Sequence, residues 1–144
     1  MNKTQLFRIL DANFNRSREG LRVCEEIARF VMGEGVLSRE FKRLRHAIGR
    51  VLTEGPSLSL RELLSARDAE GDVGKGFSVL ERKRAGFPDL FLANVQRAKE
   101  SLRVLEETSK CVEPRASEKL KRIRFRVYAL EKKTLPKLEA LCDH

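Results

Sequence analysis

The sequence predicts an all-α protein: a four-helix bundle made of two duplicated helical hairpins, joined by a Gly- and Asp-rich crossover loop. Three observations carry this. Residues 12–31, ANFNRSREGLRVCEEIARFV, and 93–112, ANVQRAKESLRVLEETSKCV, agree at ten of twenty positions at an offset of 81, and a repeat fixes architecture before any motif is read. A second echo follows each copy, FKRLR at Phe41–Arg45 and LKRIR at Leu120–Arg124, at an offset of 79. Apolar residues in both copies recur at helical intervals, and no stretch alternates with the period of a strand.

The first helix is expected from about Thr4, a candidate N-cap, to Met32. Leu10, Phe14, Ser17, Leu21, Cys24, Ala28 and Val31 form its seam; Gly20, Val23, Ile27 and Phe30 form a second apolar row. Gly33-Glu34-Gly35 ends it. Ser38 then caps a second helix, Arg39 to about Thr53, carrying Phe41, Leu44, Ile48, Val51 and Leu52 inward. Glu54-Gly55-Pro56 stops that helix, and Ser57 to Ala66 holds one or two turns with Leu60, Leu63 and Leu64 as apolar contacts.

Arg67 to Phe77, RDAEGDVGKGF, is the least regular stretch, followed by an expected helical turn over Val79 to Arg84. Gly86-Phe87-Pro88 breaks the chain again. The repeat helix runs from Leu90 to Val112, with Phe91, Val95, Ala98, Leu102, Leu105 and Val112 on its seam. Glu113-Pro114 stops it, and Ser117 caps a last helix carrying Leu120, Ile123, Val127 and Leu130. That helix continues past Leu135, and Pro136 kinks or ends it. Residues 1–144 thus read as one helical domain, with halves of about 4–53 and 89–142 and a crossover over 54–88.

Thirty Lys and Arg against 21 Asp and Glu leave a net charge of +9, which implies an anionic partner. Charge alone does not separate nucleic acid from a phosphorylated small molecule. Eight Phe, one Tyr and no Trp offer little stacking surface, which weighs against single-stranded nucleic acid. No apolar run approaches a membrane span of about 18 residues, and the N-terminus lacks the apolar core of a signal peptide, so a cytoplasmic location is expected. Three scattered cysteines, without CxxC or HxxxH spacing, support neither a disulfide framework nor a zinc site. The heptad seams leave room for a homodimer.

Asn13 falls within the apolar arc of the first helix, Arg16 lies in the row of Gly20 and Val23, and Glu19 stands at its edge. Asn94, Arg97 and Glu100 repeat them. A buried amide or guanidinium without a partner costs on the order of 1–3 kcal/mol. Either internal Arg16–Glu19 and Arg97–Glu100 bridges at i,i+3 spacing satisfy them, or an anion such as phosphate does. Arg22, Glu25 and Glu26, with their copies Arg103, Glu106 and Glu107, are expected to face outward as surface ion pairs. In the crossover, Gly71, Gly74 and Gly76 could present N–H groups to phosphate, with Lys75 beside them, and Asp68 and Asp72 could hold Mg²⁺. The spacing is not that of a P-loop. His46 aligns with Phe125, so the duplication does not require it; it reads either as a hydrogen-bonded buried residue or as a general base.

ILDANFNRSREGLRVCEEIARF, LRHAI, RDAEGDVGKG and ANVQRAKESLRVLEETSK together resemble the small helical domain fused before thiamin-phosphate synthase. That domain also occurs alone as a hydroxymethylpyrimidine-phosphate kinase. The resemblance spans roughly Phe7 to Lys110. The chain has no room for the synthase barrel, so it resembles the standalone kinase. The resemblance implies ATP-dependent phosphorylation of hydroxymethylpyrimidine monophosphate to the diphosphate, with Mg²⁺ and ATP, and with a phosphorylated pyrimidine and a nucleotide as partners. Joined to the residue reading, it places Asp72, Glu19, Glu100 and His46 in catalysis. Asn13, Arg16, Arg22, Arg45, Arg67, Asn94, Arg97, Arg103 and Gly74 are expected to bind substrate or phosphate, and Asp68 and Asp72 the metal. Gly86-Phe87-Pro88 departs from the more polar approach expected there. Two alternatives compete: a metal-independent helical enzyme acting on an anionic small molecule, and a basic all-α protein binding nucleic acid.

Overall fold

Asn2 opens the first helix, α1 (Lys3–Glu26). Its side-chain oxygen accepts the backbone N–H of Thr4 at 2.9 Å and of Gln5 at 3.3 Å. The amide oxygen two residues earlier thus takes the capping role expected of Thr4. The computed structural model describes residues 1–76 and 83–143. α1 runs on into a π turn, Ile27–Val31, closed by Met32 N–H donating to the Ile27 carbonyl at 3.0 Å. The wider turn rotates the following side chains out of phase with the seam. Phe30, expected in the second apolar row, is therefore 69% exposed.

Gly33, at φ 65°, turns the chain, a conformation that a Cβ disfavours. α2 (Gly35–Glu54) follows at once. It starts before the expected Arg39, and the extra turn buries Leu37 beside Phe41, Leu44, Ile48, Val51 and Leu52. α3 (Leu60–Ala66) is a short helix capped by Ser59, whose Oγ accepts from Glu62 N–H at 3.1 Å. Only Leu63 of its three leucines points inward; Leu60 and Leu64 are each 55% exposed. Of the helical turn expected over Val79 to Arg84, residues 79–82 lie outside the described residues, and Lys83 and Arg84 carry no regular structure.

α4 (Phe87–Ser109) starts earlier than expected, with Pro88 inside its first turn rather than outside the helix. α5 (Pro114–Cys142) likewise takes Pro114 into its first turn, where a missing N–H costs nothing. Ser117 is not its cap: its hydroxyl is buried and donates to the Glu106 carbonyl at 2.8 Å, tying α5 to the end of α4. Pro136 stands inside α5 without ending it. Thr134 and Leu138, both fully buried, hold the segment against the core, which offsets the lost backbone bond.

α1 packs on α2 and α4, and α5 packs on α4 and α2, so the four long helices close a ring around one core; α3 lies on α1. The described residues are all helix, turn or coil, as an all-α fold requires. None of the described helices is long and apolar enough to cross a membrane. α1 and α4 cross antiparallel. Cys24 Sγ lies 4.0 Å from the Phe91 carbonyl, and a Cβ on Gly20 would stand 2.7 Å from the Asn94 oxygen and 3.4 Å from Ala98 N. Gly20 is what lets the two backbones touch.

The repeat also duplicates a buried ion pair. Arg45 donates to Glu25 at 3.1 and 3.4 Å, and Arg124 donates to Glu106 through Nε and, at 3.1 Å, Nη2. Glu25 and Glu106 are buried, which corrects their expected outward placement. A carboxylate there is tolerable because each is met by a two-pronged guanidinium from the neighbouring helix.

Candidate functional site

One face of α1 carries Arg8, Ala12, Arg16 and Glu19, spaced by one helical turn at each step. These residues floor a groove of about 870 Å³ whose walls are Arg97 of α4 and Arg67, Asp68 and Asp72 of the loop after α3. The loop is held there by a buried acid. Arg67, where α3 ends, donates through Nε to Asp11 Oδ2 at 2.7 Å and through Nη2 to Oδ1 at 2.8 Å. The hydrogen bond to Asp11 raises the guanidinium pKa above its ordinary value. Asn15 Nδ2 also donates to Asp11, to its backbone carbonyl at 2.9 Å and to its carboxylate at 3.3 Å. Arg8 reaches the Asp68 carbonyl at 3.5 Å.

The crossover loop folds on its own aspartates. Asp68 Oδ1 accepts Gly71 N–H and Asp72 Oδ1 accepts Gly74 N–H, each at 2.8 Å. Gly74, expected to offer its N–H to phosphate, gives it to Asp72. Lys75 donates to the Glu70 carbonyl at 2.7 Å. The described residues contain no group of three or more His, Cys, Asp or Glu placed to hold a metal. Asp68 and Asp72 both line the groove, and each leaves its second oxygen unengaged among the described residues.

The groove gathers Asn13, Arg16, Glu19, Arg67, Asp68, Asp72 and Arg97. Asn13 is buried, as its place in the apolar arc predicts. The charged residues meet on the surface: Arg16, Glu19, Arg97 and Glu100 are exposed, which corrects the expected burial of the guanidiniums between the helices. The reason is the closeness of α1 and α4 at Gly20, which leaves no interior space for guanidinium groups. The alternative of i,i+3 bridges is not realised: neither Arg16 nor Arg97 makes an ion pair among the described residues.

Asn13 and Asn94 satisfy themselves. Each amide donates 2.9 Å to the carbonyl four residues back, Ile9 and Leu90. Because the helices cross antiparallel, the repeat carries Asn94 and Glu100 away from the groove that Asn13 and Glu19 line. Arg45 is committed to Glu25. Arg22 pairs with Glu25 and Glu26, and Arg103 with Glu106 and Glu107, on the solvent side. His46 is exposed on α2 and lines a different pocket. Its pKa is lowered from the ordinary value by desolvation, and further by Arg45 and Lys42. Asp11 and Arg8 are groove residues that the sequence reading did not select. Asp11 was visible as the first residue of the DANFNR segment, but nothing nearby in the chain marks Arg67 as its partner.

A model described as the ThiD2 family matches residues 8–133. A thiamine-phosphate synthase from Nostoc sp. (strain PCC 7120 / SAG 25.82 / UTEX 2576) is 43% identical over 127 residues, 88% of this chain and 34% of the relative. That of Thermosynechococcus vestitus is 44% identical over 138 residues, covering 94% and 37%. That of Synechocystis sp. (strain ATCC 27184 / PCC 6803 / Kazusa) is 42% identical over 129 residues, covering 89% and 36%. The chain therefore spans about a third of the length of the curated relatives it matches. No solved structure matches it. These relatives correct the expected hydroxymethylpyrimidine-phosphate kinase activity: they carry the name thiamine-phosphate synthase, and nothing in the comparisons supports ATP as a co-substrate.

Proposed function

The chain belongs to the ThiD2 family, and from that premise we propose that it serves thiamine phosphate synthesis by binding a phosphorylated pyrimidine in the groove between α1, α4 and the loop after α3. One observation carries the reading. Arg16 and Arg97 occupy the same position in the two repeats, and the antiparallel crossing brings both to one groove, without a carboxylate partner for either among the described residues. Two such guanidiniums repel each other unless an anion lies between them, and phosphate matches their fork geometry. The Asp11–Arg67 pair is spent on positioning the loop, so it adds no free charge. A Mg²⁺ ion accompanying the phosphate would be held by Asp68 and Asp72 and would neutralise phosphate charge.

Calorimetric titration with hydroxymethylpyrimidine monophosphate and with unphosphorylated hydroxymethylpyrimidine tests this. The monophosphate binds more tightly, and Arg16→Gln or Arg97→Gln weakens it about tenfold while leaving the unphosphorylated pyrimidine unaffected, since a solvent-accessible charged hydrogen bond contributes ~1.5 kcal/mol. Equal affinity for both ligands, or unchanged binding in both variants, removes the groove from the function.

A further inference from the structure

The halves of the repeat differ where each first helix faces its hairpin partner. In the second half Tyr128 lies against α4. Arg124 Nη1 donates to its hydroxyl at 2.8 Å, Lys99 Nζ stands 5.4 Å from its ring centroid, and Phe125 meets the ring edge-on at 5.8 Å. Lys99 also donates to Glu131 at 2.8 and 3.2 Å. The repeat offsets map Arg124, Lys99, Phe125 and Glu131 onto Arg45, Arg18, His46 and Leu52, and map Tyr128 onto Gly49. The first half keeps both cations and lacks the ring and the carboxylate that the second half sets against them.

A pocket of about 440 Å³ results, walled by Phe14, Leu52 and Leu60 and edged by Arg18, His46 and Gly49. A Cβ on Gly49 would meet nothing within 4 Å, so no other side chain fills the place of the ring. The Arg18 guanidinium lies 5.1 Å over the Phe14 ring. Its Nε is buried without a hydrogen-bond partner among the described residues, and such polar groups ordinarily find a protein, water or ligand partner. Lys99 has Glu131 as its acid; Arg18 makes no ion pair among the described residues.

We infer that this pocket is a second ligand site, separate from the groove, for a small planar aromatic or heteroaromatic ring that carries an anionic oxygen group. The ring takes the place Tyr128 holds in the other half, against Phe14 and Leu52. The anionic oxygen pairs with the Arg18 guanidinium, as Glu131 pairs with Lys99 in the other half. Desolvation, Arg45 and Lys42 keep His46 below its ordinary pKa, so at neutral pH it is an uncharged imidazole able to donate to or accept from the ring.

The probe is 4-hydroxybenzoate, which joins a phenol ring to a carboxylate. Titrated into the ¹⁵N-labelled full chain, it shifts amides of residues 14–18, 46–53 and 60 in a saturable way. Gly49→Tyr supplies the ring from the chain itself and weakens binding at least about tenfold, whereas Gly49→Ala changes it less than about twofold. Arg18→Met weakens 4-hydroxybenzoate about tenfold and leaves 4-methylphenol unchanged; it decides the matter if Gly49→Tyr does not fold. The inference is overturned by no saturable shift, by shifts centred on Arg16 and Arg97 instead, or by Arg18→Met binding both probes as the parent chain does.

Discussion

Two helical glycines should respond to alanine in opposite directions. At Gly20 the added methyl would stand 2.7 Å from the Asn94 carbonyl oxygen, whereas ordinary contact begins at 3.4 Å. The neighbour is backbone inside α4, so no side chain can swing aside and the helices must part by about 0.7 Å. Overpacking of this kind costs roughly 1–3 kcal/mol, and alanine returns about 1 kcal/mol of helix propensity. The net is a loss of up to about 2 kcal/mol, seen as a fall in Tm of up to roughly 6 °C for a chain of this size. At Gly49 the same methyl meets nothing within 4 Å, so only propensity acts and Gly49→Ala gains about 0.5–1 kcal/mol. Thermal and urea unfolding of both variants, monitored by circular dichroism, gives the comparison. A Gly20→Ala chain stabilised as much as the Gly49→Ala chain would refute the close crossing of α1 and α4, and with it the geometry that brings Arg16 and Arg97 to one groove.

Arg124→Met leaves buried Glu106 with only the 3.7 Å contact to Arg103 and should cost up to ~3–5 kcal/mol in urea unfolding, while the Glu106→Leu/Arg124→Met double variant recovers most of the loss. His46 has a folded pKa below its unfolded value. Its contribution to stability is therefore complete above the ordinary pKa of 6.5 and is lost as pH falls from there through the lower folded value; His46→Gln should flatten the decline measured between about pH 7 and pH 5. Burial pushes the Cys24 thiol pKa well above its ordinary value, and Cys111 and Cys142 are exposed, so Ellman's reagent should label two thiols in the native chain and three after denaturation.

The chain alone specified the all-α class and the duplication. Both are written in short-range spacing: apolar residues at helical intervals, and a repeat whose identities need no neighbour to be seen. Its local rules slipped at element ends, where Asn2, the π turn after Glu26 and the two first-turn prolines moved boundaries by a few residues. The site was legible only in part. Arg16 and Arg97 could be picked out because the repeat marks them, but their guanidiniums were expected inside the bundle and lie on its surface. Packing decided that, since Gly20 lets the helices approach too closely to leave an interior for charged side chains. Tertiary structure also chose the partners. Asp11 meets Arg67 across 56 residues, and Glu25 and Glu106 are buried because an arginine from the next helix reaches each of them. No local spacing encodes such pairs; they exist only once the antiparallel register between helices is set.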